Sequence, residues 1–186
     1  MAQRELVERA RRGDLDAFDA LVLGASGRLD GAARLILRDP EQAKDAVQEA
    51  FAKAWRELRS LRDPDRFDAW LHRLLVHACY DELRRRRSRP IEVEITPIHD
   101  LEVPDTQSRT ADRDVLERAL RGLDPDLRTV VVLFYYLDMP LPDAAHALGV
   151  PLGTAKSRLH RARHELREAL GVAPQGSGTQ LVEGKA

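Results

Sequence analysis

The sequence predicts an all-α protein of two small helical domains joined by a flexible linker, the second carrying a helix-turn-helix. Three observations carry that expectation. Leu, Ala and Arg dominate while aromatic residues make up only 5%, which favours helix over sheet. Apolar residues recur at alternating spacings of three and one along several segments, the signature of one buried helical face. Between Ser88 and Asp112 this periodicity stops, and Pro90, Pro97 and Pro104 interrupt an acidic stretch.

In chain order, residues 3–12 suit a short helix closed by Gly13, and Asp14 can cap a second helix carrying Phe18, Leu21 and Val22. Gly24, Gly27 and Gly31 follow closely, an unusual glycine density that leaves the continuity of that helix open. Leu29, Ala32, Ala33, Ile36 and Leu37 resume a stripe up to Arg38-Asp39-Pro40. Ala43, Ala46, Val47, Ala50, Phe51, Ala54, Trp55 and Leu58 form the cleanest apolar face. Asp45, Gln48, Glu49, Lys53, Arg56 and Glu57 lie on the other side. After a charged loop, Arg59 to Arg66, the stripe Phe67, Trp70, Leu71, Leu74, Leu75, Ala78, Cys79 and Leu83 predicts another helix. Its solvent face is expected to hold His72, Arg73, His77, Tyr80, Asp81 and Arg84, and it runs out into Arg85, Arg86 and Arg87. Cys79 lies on the apolar stripe, which makes it a small buried residue rather than a nucleophile.

These patterns divide the chain into a first domain, 1–88, a linker, 89–112, a second domain, 113–171, and a disordered polar tail, 172–186. The second domain opens with a helix bearing Val115, Leu116, Ala119, Leu120 and Leu123. Asp124-Pro125 then supplies a cap and a first-turn proline for the helix leading to Tyr136.

The most informative stretch is Leu127 to Leu170, three helices with a tight turn before the last. In the final helix Ala155, Leu159, Ala162, Leu166, Ala169 and Leu170 fall within roughly 60° of one line on a helical wheel. Opposite stand Ser157, His160, Arg161 and His164, flanked by Lys156, Arg163 and Arg167 on one side and Arg158 on the other. Gly149 can end the preceding helix in the left-handed conformation, and Pro151 suits the next first turn. An apolar stripe backed by donors and cations is what a helix needs to rest on a small core and enter the DNA major groove. The bland alternative is an ordinary amphipathic helix with a solvated basic face.

Charge is uneven behind a net value of −1: basic residues gather at 84–89 and 156–167, acidic ones between Glu92 and Asp105. Local fields attract phosphate more than the total does, and the low total suggests weak DNA binding by the chain alone. The single cysteine allows no internal disulfide and no thiolate metal cluster. No run of 18 apolar residues and no signal-peptide pattern occurs, so a cytoplasmic location and no membrane insertion are expected.

Taken together, the segments DAVQEAFAKAW (45–55), FDAWLHRLLVHACYDELRRRRSR (67–89) and LGVPLGTAKSRLHRARHEL (148–166) resemble the extracytoplasmic-function (ECF) sigma factors of bacterial RNA polymerase. They look like region 2.2, regions 2.3 and 2.4, and region 4.2 of that family, in order, over roughly Gly13 to Leu170. The resemblance implies a promoter-specificity subunit and not an enzyme, with no cofactor. Its implied partners are core polymerase (clamp helices of the largest subunit, flap of the second-largest), promoter DNA and an anti-sigma factor. By the same resemblance Asp45, Gln48, Glu49, Lys53 and Arg56 dock on polymerase. Arg62, Arg66, His77, Tyr80, Asp81 and Arg84, with Arg85, Arg86 and Arg87 on phosphates, bind the melted −10 element. Thr154, Lys156, Ser157, Arg158, His160 and Arg161, with Arg163 and Arg167 as backbone clamps, bind the −35 element. The chain departs from the family pattern at His77, where Asn is usual, and at Pro140-Leu141-Pro142-Asp143, where a polar cap and Glu are usual.

Two other functions compete. A stand-alone helix-turn-helix regulator would bind an operator without polymerase, but has no use for the arginine block that continues the helix after Leu83. A metal-dependent hydrolase could use His160 and His164 at i,i+4 spacing, yet lacks a neighbouring general base of the HExxH kind and an evident third ligand.

Overall fold

The computed structural model describes residues 3–88 and 111–171. The expected tail, and the expected linker except positions 111 and 112, lie outside the described residues. The described residues contain eight α-helices and no strand.

α1 (Gln3–Arg11) turns into α2 (Leu15–Leu37) through Gly13, whose φ of 95° few side chains would tolerate. Asp14 caps α2 by accepting the Ala17 N–H at 3.0 Å. That bond, with the nearby Arg9 guanidinium, holds its carboxyl below the usual range. α2, whose continuity the glycines leave open, runs unbroken for 23 residues through all three of them. Helical glycine costs about 1 kcal/mol relative to alanine, a penalty that burial of Leu29, Ala32, Ala33, Ile36 and Leu37 outweighs. Arg38, at φ 62°, stops the helix. Asp39 caps α3 (Pro40–Glu57), accepting from Gln42 N–H at 3.0 Å.

Only small residues of α3, Ala43, Ala46, Ala50 and Ala54, are fully buried, which lets it lie close against α2 and α4. Trp55 stays 37% exposed and leans on Phe18 with ring centroids 4.9 Å apart. Two short 3₁₀ turns, Leu58–Ser60 and Pro64–Arg66, lead to α4 (Phe67–Ser88), the central helix. Phe67, Leu71, Leu74, Leu75, Val76, Ala78 and Cys79 are buried along it. Burial pushes the Cys79 thiol up to about 12, consistent with an inert core residue. His72, expected on the solvent face, is instead 6% exposed, because α4 packs against α2 and α3 and also against the second domain.

The second domain comprises α5 (Ala111–Gly122), α6 (Pro125–Val131), a π turn (Val132–Tyr136), α7 (Leu141–Leu148) and α8 (Leu152–Ala169). Asp124 caps α6 as expected, accepting from Asp126 N–H at 2.9 Å. On α5, Ala119 and Leu120 turn inward, as does Leu123 just after it, while Val115 and Leu116 remain exposed. α7 begins at Leu141 without a side-chain cap, since Pro140 has nothing to offer the first N–H groups. Gly149 closes it at φ 66°, as the sequence predicts.

The two domains are not merely tethered. α4 packs on α7, and α2 on α6 and the π turn, so the buried apolar residues of both domains form one cluster. Gly31 has a specific task at this junction: a Cβ there would run into the Tyr136 phenol, 2.9 Å from Cζ. Arg128, 4% exposed, crosses the junction by donating Nε and Nη2 to the Ile36 carbonyl at 3.0 and 2.7 Å. Its Nη1 donates to Leu123 O at 3.1 Å. Burial, with the like charge of Arg38, lowers its pKa to about 10, so it stays charged at neutral pH.

Candidate functional site

Three surfaces carry the residues singled out in the sequence. On α3, Asp45, Gln48, Glu49 and Arg56 are exposed and Lys53 is half-buried. Glu49 and Arg56, two turns apart, pair at 3.0 Å. The buried alanine edge fixes which way this mixed-charge face points, and fixed charges of both signs suit docking in a defined register.

The second surface is the outer side of α4 and the turn before it. Arg62, Arg66, His77, Asp81, Arg84, Arg85 and Arg86 are exposed. Arg87 follows on the same helix, its side chain outside the described atoms. Arg84 Nη2 holds Asp81 at 2.8 Å, and Arg85 holds Glu82 at 2.5 Å. Partial burial, helped by the Lys53 and Arg73 charges, keeps the His77 imidazole below its ordinary pKa. A neutral ring offers one donor and one acceptor, a pair suited to a base edge. Tyr80 is half-buried, and its hydroxyl donates to Asp126 of the second domain at 2.8 Å. Burial first, and that carboxylate second, raise the phenol pKa.

The third surface is α8. Ala155, Leu159 and Ala162 are buried as the helical wheel predicts. Leu166 is half-buried, and Ala169 is exposed because the last turn runs past the core. Lys156, Ser157, His160, Arg161, His164 and Arg167 face solvent; Thr154, Arg158 and Arg163 are half-buried. Arg161 is steadied by Glu165 at 2.8 Å. Arg158 turns from this face and pairs with Asp126 at 2.5 Å. His164 neighbours Glu168 at 3.4 Å, and among the described residues no three His, Cys, Asp or Glu side chains converge as metal ligands would.

The structure leaves most of the α3 and α8 faces open, brings the α4 face against the second domain, and sets Lys53 and Arg158 in one cleft beside it. A cleft of about 420 Å³ separates α4 from α7 and α8, with His77, Tyr80, Asp81 and Arg84 on one wall and Asp126 and Arg158 on the other. Arg66 pairs with Asp143 across the same junction. Sequence reading missed Asp126, Arg128, Tyr136 and Gly31 as junction residues. No periodicity marks them; the one available sign was the density of glycine in a helix that tolerates it.

Comparisons with known proteins fit these surfaces. The Sigma-70 region 2 family model matches residues 23–89, and the Sigma-70, region 4 model matches 113–166. The chain is 33% identical to the RNA polymerase sigma-H factor of Pseudomonas aeruginosa, over 90% of this chain and 93% of that one. It is 36% identical to the ECF RNA polymerase sigma factor SigM of Mycobacterium tuberculosis, over 92% and 86%. Its fold is similar to that of the sigma factor RpoE of Bartonella quintana, solved in complex with the anti-sigma factor NepR. The TM-score is 0.69 at 29% identity, covering 84% of this chain and 98% of that one. With both region models matched in order and full-length relatives above 30% identity, the chain belongs to the ECF sigma factors of bacterial RNA polymerase, the subunits that direct core polymerase to promoters.

Proposed function

We propose that promoter reading is divided between α4, which takes the −10 element as single strand, and α8, which takes the −35 element as duplex. The observation that supports this is the matched construction of two helices in different domains. Each buries an apolar stripe and presents cations and hydrogen-bond donors outward. On α4, His77, Tyr80, Asp81 and Arg84, with Arg62 and Arg66 before the helix, would enclose an unstacked base. Arg85, Arg86 and Arg87 would neutralise phosphates without reading sequence. On α8, Lys156, Ser157, His160 and Arg161 would face base edges, with Thr154 and Arg158 at the margin and Arg163 and Arg167 on the backbone. Asp45, Gln48, Glu49, Lys53 and Arg56 on α3 would dock on the polymerase clamp helices.

In this reading the chain contributes no bond-making chemistry. Its work is differential binding, with two DNA contacts and the polymerase contact reinforcing one another through tethering. It acts in the cytoplasm with its polymerase, in keeping with the lack of any described helix long and apolar enough to cross a membrane. An anti-sigma factor as a further partner is supported by the complex in which the Bartonella relative was solved. The domain limits 1–88 and 113–171, with 89–112 as linker and 172–186 as tail, complete the proposal.

Arg161→Ala tests the assignment most finely. Holoenzyme carrying it is assayed on promoters altered singly in the −35 element across a salt series. Activity loss that varies with the −35 base supports base readout; uniform loss with a salt slope shallower by about one means a phosphate contact instead.

A further inference from the structure

Three guanidinium groups from three elements converge on one cleft that neither proposed reading face explains. Arg38 closes α2, Arg86 stands near the end of α4 and Arg128 belongs to α6, and all three line a space of about 400 Å³. No carboxylate lies on its wall among the described residues; the remaining lining is apolar, from Leu37, Leu83, Leu123 and Pro125. Asp124, a neighbouring acid whose charge reaches Arg128, has its Oδ1 on the Asp126 N–H as the α6 cap.

Like charges gathered this way repel until an opposite charge joins them. Burial lowers the pKa of Arg38, and the Arg121 and Arg86 charges lower it further. Burial likewise acts first on Arg128, followed by the charge of Arg38, with Arg86 adding to it. Hydrogen bonds nevertheless hold two of the three groups in place. Arg38 Nη1 donates to the Arg121 carbonyl at 2.9 Å, and Arg128 donates to the Ile36 and Leu123 carbonyls. The second proton on each Nη of Arg128 remains. Arg86 makes no hydrogen bond or ion pair among the described residues.

An anion entering the cleft therefore meets donors that are already oriented. Guanidinium forks set around it from three directions suit oxygens that also point several ways, which a phosphate chain has and a single carboxylate lacks. The volume falls within the range of small-molecule sites, about 300–1,000 Å³, and leaves room beyond a phosphate chain. The apolar wall calls for a ring system attached to that chain. We propose that the Arg38–Arg86–Arg128 cleft binds a nucleoside di- or triphosphate, its phosphates on the three guanidinium groups and its base against Leu37, Leu83 and Pro125. The site is separate from promoter reading, although Arg86 is also among the proposed −10 phosphate contacts. Binding itself, and not transcription, is therefore the readout.

The test is calorimetric titration of the full chain with ADP, GDP, pyrophosphate, adenosine and a single-stranded oligonucleotide. The diphosphates and pyrophosphate are expected to bind and adenosine is not. The tighter nucleoside diphosphate should exceed pyrophosphate by about tenfold through the apolar wall. Arg38→Gln and Arg86→Gln should each weaken that nucleotide about tenfold or more. Arg86 is exposed, so the second variant keeps the test valid if the first disturbs the end of α2. Arg12→Gln removes the same charge beyond the other end of α2, about 35 Å along the helix, and should leave binding unchanged. Equal weakening by Arg12→Gln would mean diffuse charge attraction and overturns the site. No nucleotide binding at millimolar concentration, or binding that neither cleft variant weakens, overturns it too. Pyrophosphate that binds as tightly as the nucleotides overturns the nucleoside assignment. Arg38-dependent binding of the oligonucleotide without nucleotide binding would make the cleft a nucleic-acid backbone contact instead.

Discussion

α3 and α4 pack on one another and carry outward faces of similar polarity, but the two faces stand in opposite conditions. On the α3 face Asp45, Gln48, Glu49 and Arg56 are exposed and open to a partner, while half-buried Lys53 lines the cleft beside α4. The α4 face meets α7, gives the Tyr80 hydroxyl to Asp126, and leaves only a cleft beside the second domain. The difference teaches an order of events. On the proposed assignment, the exposed α3 residues are available to polymerase at once, whereas Tyr80 on α4 must leave Asp126 before it can meet DNA.

The largest effect expected from breaking this comparison falls on the inner side of α4, which supports both faces. Leu75 is fully buried there, and Leu75→Ala should cost about 2–5 kcal/mol of stability, read as a lower urea midpoint. If the cost is under about 1 kcal/mol, α4 is not the central support.

Next is pH. Burial, with the Arg28 charge and against Asp68, lowers the pKa of His72 to about 4 from 6.5. Its folded value is depressed, so the contribution is complete above pH 6.5 and is lost as pH falls toward 4. The total is on the order of 3 kcal/mol. The urea midpoint should fall across that window, and His72→Phe should flatten the fall; a parallel fall in the variant would place the titration elsewhere.

The smallest effect on the free chain belongs to α3. Arg56→Glu, 59% exposed at its side chain, should change stability by no more than about 0.5 kcal/mol. The same change should weaken core-polymerase binding by about tenfold, about 1.4 kcal/mol. Unchanged affinity would remove Arg56 from the docking face.

Local chemistry was legible in the sequence and junction chemistry was not. Asp14, Asp124 and Gly149 do what their positions require, because caps and left-handed stops depend on a few neighbouring residues. The stripes of α3, α4 and α8 appear where spacing puts them. His72 was misplaced because a helical wheel records a helix's own polarity and not what lies against its polar side. The same holds for Ala169, whose turn extends beyond any partner. The glycines of α2 leave its continuity open because propensity counts them one by one, while tertiary burial decides the helix as a whole. Of the candidate residues, types and faces were readable. That Arg158 turns to Asp126, and Arg66 to Asp143, depends on how two domains meet, which no periodicity encodes.

Promoter reading by this chain is expected only as part of polymerase. It is tested most directly by run-off transcription with purified core polymerase on a pool of promoter fragments, beside a gel shift of the same pool with the chain alone. Specific start sites with core, and little or no shift without it, are expected. Tight binding by the chain alone, together with no specific starts, would contradict it and favour a stand-alone regulator.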